Sequence, residues 1–272
     1  METKSSLPYA IAAFIDILGY EPLVKKGISD VSVIQWLESM LVGSSVNLIE
    51  KIRSAKLMPE GYENYDDYAK GIFKTINVRF ISDTILVTLP LSGIDLSSQE
   101  FNQKDSLSNC LDSYFKYISM ITTMFIAKTG LVLRGGIAMG SHYETSYPDS
   151  GSLFIFSQAY VQANHLEKNA HLARILIDGE LLKFVREIPF DQIDEFIYRD
   201  DDGKDCFDIY CFLQQDDNSH SVLQGIKETV SLNLQSSRQN PRALDKLVYF
   251  AKYHNRMVTK LGFSELMINT KL

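Results

Sequence analysis

Cysteine is scarce. The 272-residue chain has three, Cys110, Cys206 and Cys211, with neither metal-ligand spacing nor the even number that a disulfide framework needs. A reducing cytoplasm is the expectation. Positive charge is also short, with 27 Lys and Arg against 34 Asp and Glu, a net charge of −7. That argues against a protein that grips long nucleic acid, which carries a basic face; a single nucleotide held by a few local cations is not excluded. No apolar run reaches the ~18 residues that span a bilayer, and residues 1–7 lack the basic-then-apolar order of a secretory signal. No stable membrane anchor is expected. Internal repeats and low-complexity segments are missing too. The hydrophobic fraction of 45% is ample for one large domain or two small ones.

The chain does have two stretches in which a lone acid interrupts an apolar run. Residues 10–20 (AIAAFIDILGY) read as a strand covered on both faces, broken by Asp16 and followed by Gly19. A carboxylate there is costly unless a cation or several donors meet it, and Gly19 lets the backbone turn and approach a ligand closely. The alternative is an Asp that caps the next turn. Residues 77–89 (NVRFISDTILVTL) read as strand, two-residue turn and strand, with Ser82 and Asp83 at the tip. Two acids at the ends of buried β elements make a plausible site for two hard cations, which favour carboxylate and phosphate oxygen.

These residues resemble a known family. The run Phe14 to Tyr20 is similar to the first metal motif of class III nucleotidyl cyclases, Phe-x-Asp-Ile-x-Gly-Phe, and Ile81-Ser82-Asp83 to the hairpin with their second metal-binding Asp. Leu133-Arg134-Gly135-Gly136-Ile137 through Gly140 resembles their Arg-x-Gly-Ile-x-x-Gly strand. Phe156-Ser157-Gln158-Ala159 through Ala163-Asn164-His165-Leu166-Glu167 resembles their signature helix. The four occur in order over about residues 8–180, in a spelling most similar to the bacterial pyrimidine cyclases of anti-phage, Pycsar-type defence.

The resemblance implies a fold, a reaction and a set of roles. The fold is α+β, a ferredoxin-like βαββαβ core shared by cyclases and polymerase palms, with a C-terminal strand hairpin and helical extension. Residues 1–215 form the catalytic domain and 216–272 a helical extension packed on it. Asp16 and Asp83 hold two Mg²⁺ or Mn²⁺ ions with the Ile17 carbonyl. Backbone N–H groups of Leu18, Gly19 and Tyr20 face the β- and γ-phosphates at a helix start. Arg134 binds the terminal phosphates through its planar fork; the plain alternative is a surface ion pair. The partner is a nucleoside triphosphate, and the enzyme is a head-to-tail homodimer with active sites at the interface.

Base choice follows from one position. Four residues before the second metal Asp, adenylate cyclases commonly carry Lys and guanylate cyclases Glu; here it is Arg79. A guanidinium only donates, so it suits carbonyl acceptors, and Phe154 stands where adenine-specific enzymes carry an Asp. UTP is the first expectation and CTP the second. The signature helix departs from the family: Val161 replaces the catalytic Asn and His165 the transition-state Arg. Either His165 takes part in catalysis, or the enzyme is slow, or the chain is a degenerate regulatory copy. Gln162 offers an amide one position away. A nucleotide sensor without turnover is therefore the rival reading, a purine cyclase another. A palm polymerase ranks last because no Gly-Gly-Asp-Asp hairpin is present.

Elsewhere, Glu21-Pro22-Leu23 opens a short helical turn, and a helix capped by Asp30 runs to about residue 56 with Trp36 in the core. Residues 58–74 form a polar, tyrosine-bearing loop suited to a lid or dimer contact. After a polar connection over 91–104, helical spacing covers 106–129 up to Gly130. A strand follows at 131–140, then a loop or hairpin extension and a short strand at 153–156. Helices are expected at 158–170 and 179–186 around a buried strand at 174–178. Strands at 196–199 and 207–213 flank Asp200-Asp201-Asp202-Gly203-Lys204-Asp205, which reads as a solvated hairpin turn rather than a calcium loop. Two last helices span about 220–235 and 241–261.

Overall fold

The structure is a computed structural model that describes residues 7–32, 34–36, 38, 76–91, 101–147, 152–188, 193–215 and 219–270. The expected loop at 58–74 lies outside these residues, as does most of the helix expected over 30–56. Its start is described: Asp30 accepts the N–H of Ser32 at 3.0 Å, and Trp36 packs against the core beside Phe125.

The apolar run before Asp16 becomes β1 (Tyr9–Ile17), and its residues Ala10 to Ala13 and Ile15 are fully buried. Such burial requires neighbours on both edges. The hairpin β2 (Asn77–Ile81) and β3 (Thr84–Pro90) pairs antiparallel on one side, and β4 (Leu133–Tyr147) pairs antiparallel on the other. The order β2-β3-β1-β4 is that of a ferredoxin-like core. Beyond it lie β6 (Ile175–Ile177), parallel to β4, and then β8 (Asp205–Phe207) and β7 (Ile197–Arg199). The α+β expectation holds.

Two helices cover opposite faces. On one face, α2 (Phe101–Thr129) buries its apolar side with Ile11, Ile15 and Val87 in the main core; α1 (Tyr20–Ser29) precedes it. It begins five residues before the expected start at 106, because its first turn carries no apolar repeat to read. It ends where expected: Gly130 has φ +67°, and a Cβ there would lie 2.6 Å from the Thr229 carbonyl. On the other face lies α3 (Gln158–Ala170), capped by the Ser157 hydroxyl. It sits so close to β4 that a Cβ on Gly136 would meet the Ala163 carbonyl at 2.3 Å.

The tail corrects several expectations. β4 continues to Tyr147 and forms a long arm with β5 (Ser152–Ser157). After α4 (Gly179–Arg186), Phe196 ends the short helix α5 (Ile193–Phe196) instead of starting a strand. Residues 208–213 are not a strand either. The Asp208 carboxylate accepts the Tyr210 N–H at 2.9 Å and its carbonyl accepts the Cys211 N–H at 3.1 Å, which turns the chain into a 3₁₀ helix over Cys211–Gln215. The 200–205 turn is not solvated throughout, since Asp200 is buried and holds Arg174. The last helices are α6 (Ser219–Ser236) and α7 (Pro241–Lys260), and both share the main core.

Candidate active site

Sheet register brings the lone acids together. Asp16 lies opposite Thr84 on β3 and opposite Arg134 on β4. The β2–β3 turn thus meets the end of β1, and the Ile17 N–H donates to the Asp83 carbonyl at 2.8 Å. Ser82 takes a positive φ of 57° at the tip, as a two-residue turn demands. Arg134 reaches Asp16 at 3.1 Å from Nη2, and the same nitrogen forms an ion pair with Glu167 of α3.

This cluster is electrostatically unsettled. Burial pushes the Asp16 carboxyl up, against the pull of Arg134, and the nearby Asp83 carboxylate raises it further. Glu167 is also raised, by burial first and by Asp16 in addition. Arg134 Nε is buried without a hydrogen-bond partner. One guanidinium therefore serves two carboxylates whose charges are poorly compensated. The donor set fits hard divalent cations, because Asp16 and Asp83 are oxygen ligands whose mutual repulsion a cation relieves. Among the described residues no group of three or more His, Cys, Asp or Glu could hold a metal ion. Two acids alone leave coordination positions for phosphate oxygens, a common arrangement for Mg²⁺.

The turn after β1 supplies fewer donors than expected. The Leu18 N–H is used in the ladder, donating to the Val132 carbonyl at 3.0 Å, and so does not face a phosphate. Gly19 turns with φ +81°, and Tyr20 is the first residue of α1. Their N–H groups make no such backbone bond among the described residues.

Arg79 lies farther along the same sheet face, opposite Leu86, which is opposite Phe14. It does not stand alone: it forms an ion pair with Glu144 of β4. The pair lines a cleft of about 640 Å³ with Asn77, Tyr9, His142 and Tyr143. His142 is buried with neither ring nitrogen hydrogen-bonded, and burial holds it below the usual histidine range. Tyr160 of α3 stands edge-on to His142 and is bonded to the Thr88 hydroxyl.

The signature-helix positions divide. Val161 and His165 are exposed, whereas Gln162 turns inward: its Oε1 is buried and lies near Gly140. Phe154 is half exposed on β5, edge-on to Tyr143. Sequence reasoning missed Glu144 and His142, because the strand was read as ending at residue 140. Arg134, Gly136, Ala138, Gly140, His142 and Glu144 alternate along β4, and that period was the available signal.

No family profile and no curated protein matches the chain. Among solved structures it is similar to the adenylyl cyclase CyaB from P. aeruginosa, with 17% identity, covering 66% of this chain and 81% of that one at TM-score 0.38. It is also similar to the guanylate cyclase domain of RhGC from Catenaria anguillulae in complex with GTP, with 13% identity, 74% and 95% coverage and TM-score 0.39. A bacterial light-regulated adenylyl cyclase gives 13% identity, 83% and 58% coverage and TM-score 0.36. These are likenesses at low identity, and the functional reading rests on the side chains described above.

Proposed function

We propose that the protein is a nucleotidyl cyclase acting on a pyrimidine nucleoside triphosphate, UTP first and CTP second. The ribose 3′-oxygen attacks the α-phosphorus, the bond to the pyrophosphate oxygen breaks, and the hydroxyl proton leaves to solvent. The observation that carries this reading is the convergence of Asp16, Asp83 and Arg134 at the end of β1. Asp16 and Asp83 hold two divalent cations, which when bound supply charge neutralisation and a more acidic 3′-hydroxyl. Arg134 turns its free donors to the terminal phosphates. The Gly19 and Tyr20 N–H groups face the same anion at the start of α1.

Arg79 donates to a base carbonyl while Glu144 beside it accepts the N3–H of uracil. The half-exposed Phe154 gives adenine no acceptor of its own. By resemblance the cyclic product is a second messenger of anti-phage defence. A homodimer is supported by exposed Tyr143, Tyr147, Leu153, Phe154, Phe156 and Val161 on the β4–β5 arm and α3. One observation favours a second reading, a sensor that binds nucleotide without turnover. Val161 and His165 are exposed on α3, and Val161 offers no donor to an α-phosphate.

Incubation of the purified protein with each nucleoside triphosphate and Mn²⁺ tests the proposal. Cyclic UMP or CMP is the expected product. A preference for ATP contradicts the base assignment, and binding without any cyclic product selects the sensor.

A further inference from the structure

Among the described residues, four polar atoms are buried without a hydrogen bond around one cleft. They are Nε of Arg79, Oε2 of Glu144, and Nδ1 and Nε2 of His142, and all three residues line the space of about 640 Å³. Buried polar groups are bonded as a rule, so such a cluster marks missing partners. His254 shows what this fold does with a structural histidine: its ring bonds to the Tyr210 hydroxyl and to the Leu266 carbonyl. His142 is only 4% exposed and bonds to neither side. Its backbone N–H donates to the Pro8 carbonyl at 2.7 Å, and Tyr160 stands edge-on to its ring. The imidazole is held in place with its polar atoms unspent.

The order of the three groups decides what they can read. The Glu144 carboxylate lies between the other two: Oε1 pairs with Nη2 of Arg79, and Oε2 lies 3.6 Å from Nε2 of His142. That second separation is too long for a hydrogen bond. Burial, opposed by Glu144, holds the imidazole below the usual histidine range, so at neutral pH one ring nitrogen donates and the other accepts. The neighbouring carboxylate favours the proton on Nε2, which faces it. The cleft therefore presents a donor, an acceptor and a donor in that order. The pairing edge of uracil is the complement: carbonyl O4, N3–H and carbonyl O2. Cytosine turns its N3 lone pair against the carboxylate. Guanine matches uracil at the first two places and differs at the third, where its amine meets the imidazole N–H donor to donor.

We propose that His142 is a third base-reading residue, whose Nε2–H donates to the O2 carbonyl of uracil while Arg79 and Glu144 read O4 and N3–H. The assignment rests on the pyrimidine nucleotide reading above and sharpens it. Glu144, at the middle position, sets UTP above CTP. His142, at the last, sets UTP above GTP.

The test titrates the full-length protein by calorimetry, with Mg²⁺ and 3′-deoxynucleoside triphosphates, which cannot cyclise. The uracil compound is compared with its 2-thiouracil analogue, in which sulfur, a weak acceptor, replaces O2. Inorganic tripolyphosphate reports the phosphate site alone. The wild type is expected to bind the uracil compound about tenfold more tightly than the 2-thio analogue, the scale of one buried hydrogen bond. In His142→Phe the gap closes to within about twofold with tripolyphosphate binding unchanged, and His142→Gln, which keeps a donor, restores part of it. Equal wild-type affinity for the two compounds overturns the role of His142 while leaving the pyrimidine reading intact, and this comparison stands even where a variant fails to fold. A gap of the same size in His142→Phe also overturns it. A wild type that prefers the cytosine compound overturns the donor–acceptor–donor order. Preference for a purine overturns the pyrimidine reading, and absence of any triphosphate binding overturns the nucleotide reading; the role of His142 falls with either.

Discussion

Two arginines in this protein each stand between two carboxylates, and they differ in almost every other respect. Arg174 is buried, and all of its nitrogens are engaged. Nε donates to the Ala170 carbonyl at 3.2 Å, Nη1 to Asp200 and Asp202, and Nη2 to Asp202 at 2.7 Å. Burial alone would raise Asp200, yet hydrogen bonds from Tyr249 and Arg174 hold it below the usual range. Arg134 shares one nitrogen between Asp16 and Glu167, leaves Nε without a partner, and both carboxyls are raised. The first network is complete and serves the fold. The second is incomplete, and an incomplete buried polar network marks a place where further groups belong.

The largest expected effect comes from Asp16. Asp16→Ala lowers cyclic nucleotide formation by at least about a thousandfold, since a metal ligand is lost. Its stability in urea stays within about 1 kcal/mol of wild type, because the removed carboxylate was poorly compensated. Product formation that survives the substitution removes Asp16 from the reaction.

Acid probes the completed networks from another side. His254 is fully buried and neutral: its Nδ1 accepts the Tyr210 hydroxyl at 2.8 Å and its Nε2 donates to the Leu266 carbonyl at 3.0 Å. Burial lowers it to about 4. The unfolded chain, with a histidine near its ordinary value of 6.5, binds the extra proton first. Stability is thus complete above that pH and falls as the pH drops toward 4, by about 3 kcal/mol from this group. Equilibrium unfolding at a series of pH values measures this, and His254→Gln should flatten that part of the curve.

Asp200→Ala should cost about 2 to 3 kcal/mol of stability, opposite in character to Asp16→Ala, because it leaves buried Arg174 short of a partner. A loss no greater than that of Asp16→Ala would erase the contrast between the two arginines. Gly136→Ala should cost about 2 kcal/mol. The new methyl would meet Leu166 Cβ at 2.4 Å, push α3 outward and carry Glu167 away from Arg134. Thermal unfolding reads the loss.

Local signals made much of the fold legible. The helices expected at 158–170 and 179–186 match α3 and α4, which the structure caps with Ser157 and Asp178, and the lone acids in apolar runs marked the two strand ends that register brings together. What failed was set by distant contacts. The apolar 207–213 run looks like a strand, but Asp208 is held by Tyr253, 45 residues away, and the chain turns instead. The Arg79–Glu144 pair spans 65 residues, and only the folded sheet joins it.

Asp16 and Asp83 are proposed to grip divalent cations against a triphosphate. Titration of Mn²⁺ into the full-length protein with a 3′-deoxynucleoside triphosphate, followed by electron paramagnetic resonance, tests it directly. Two ions per bound nucleotide are expected in the wild type, with the binding lost in the Asp16→Ala, Asp83→Ala double variant. Identical Mn²⁺ titrations for the two proteins would contradict it.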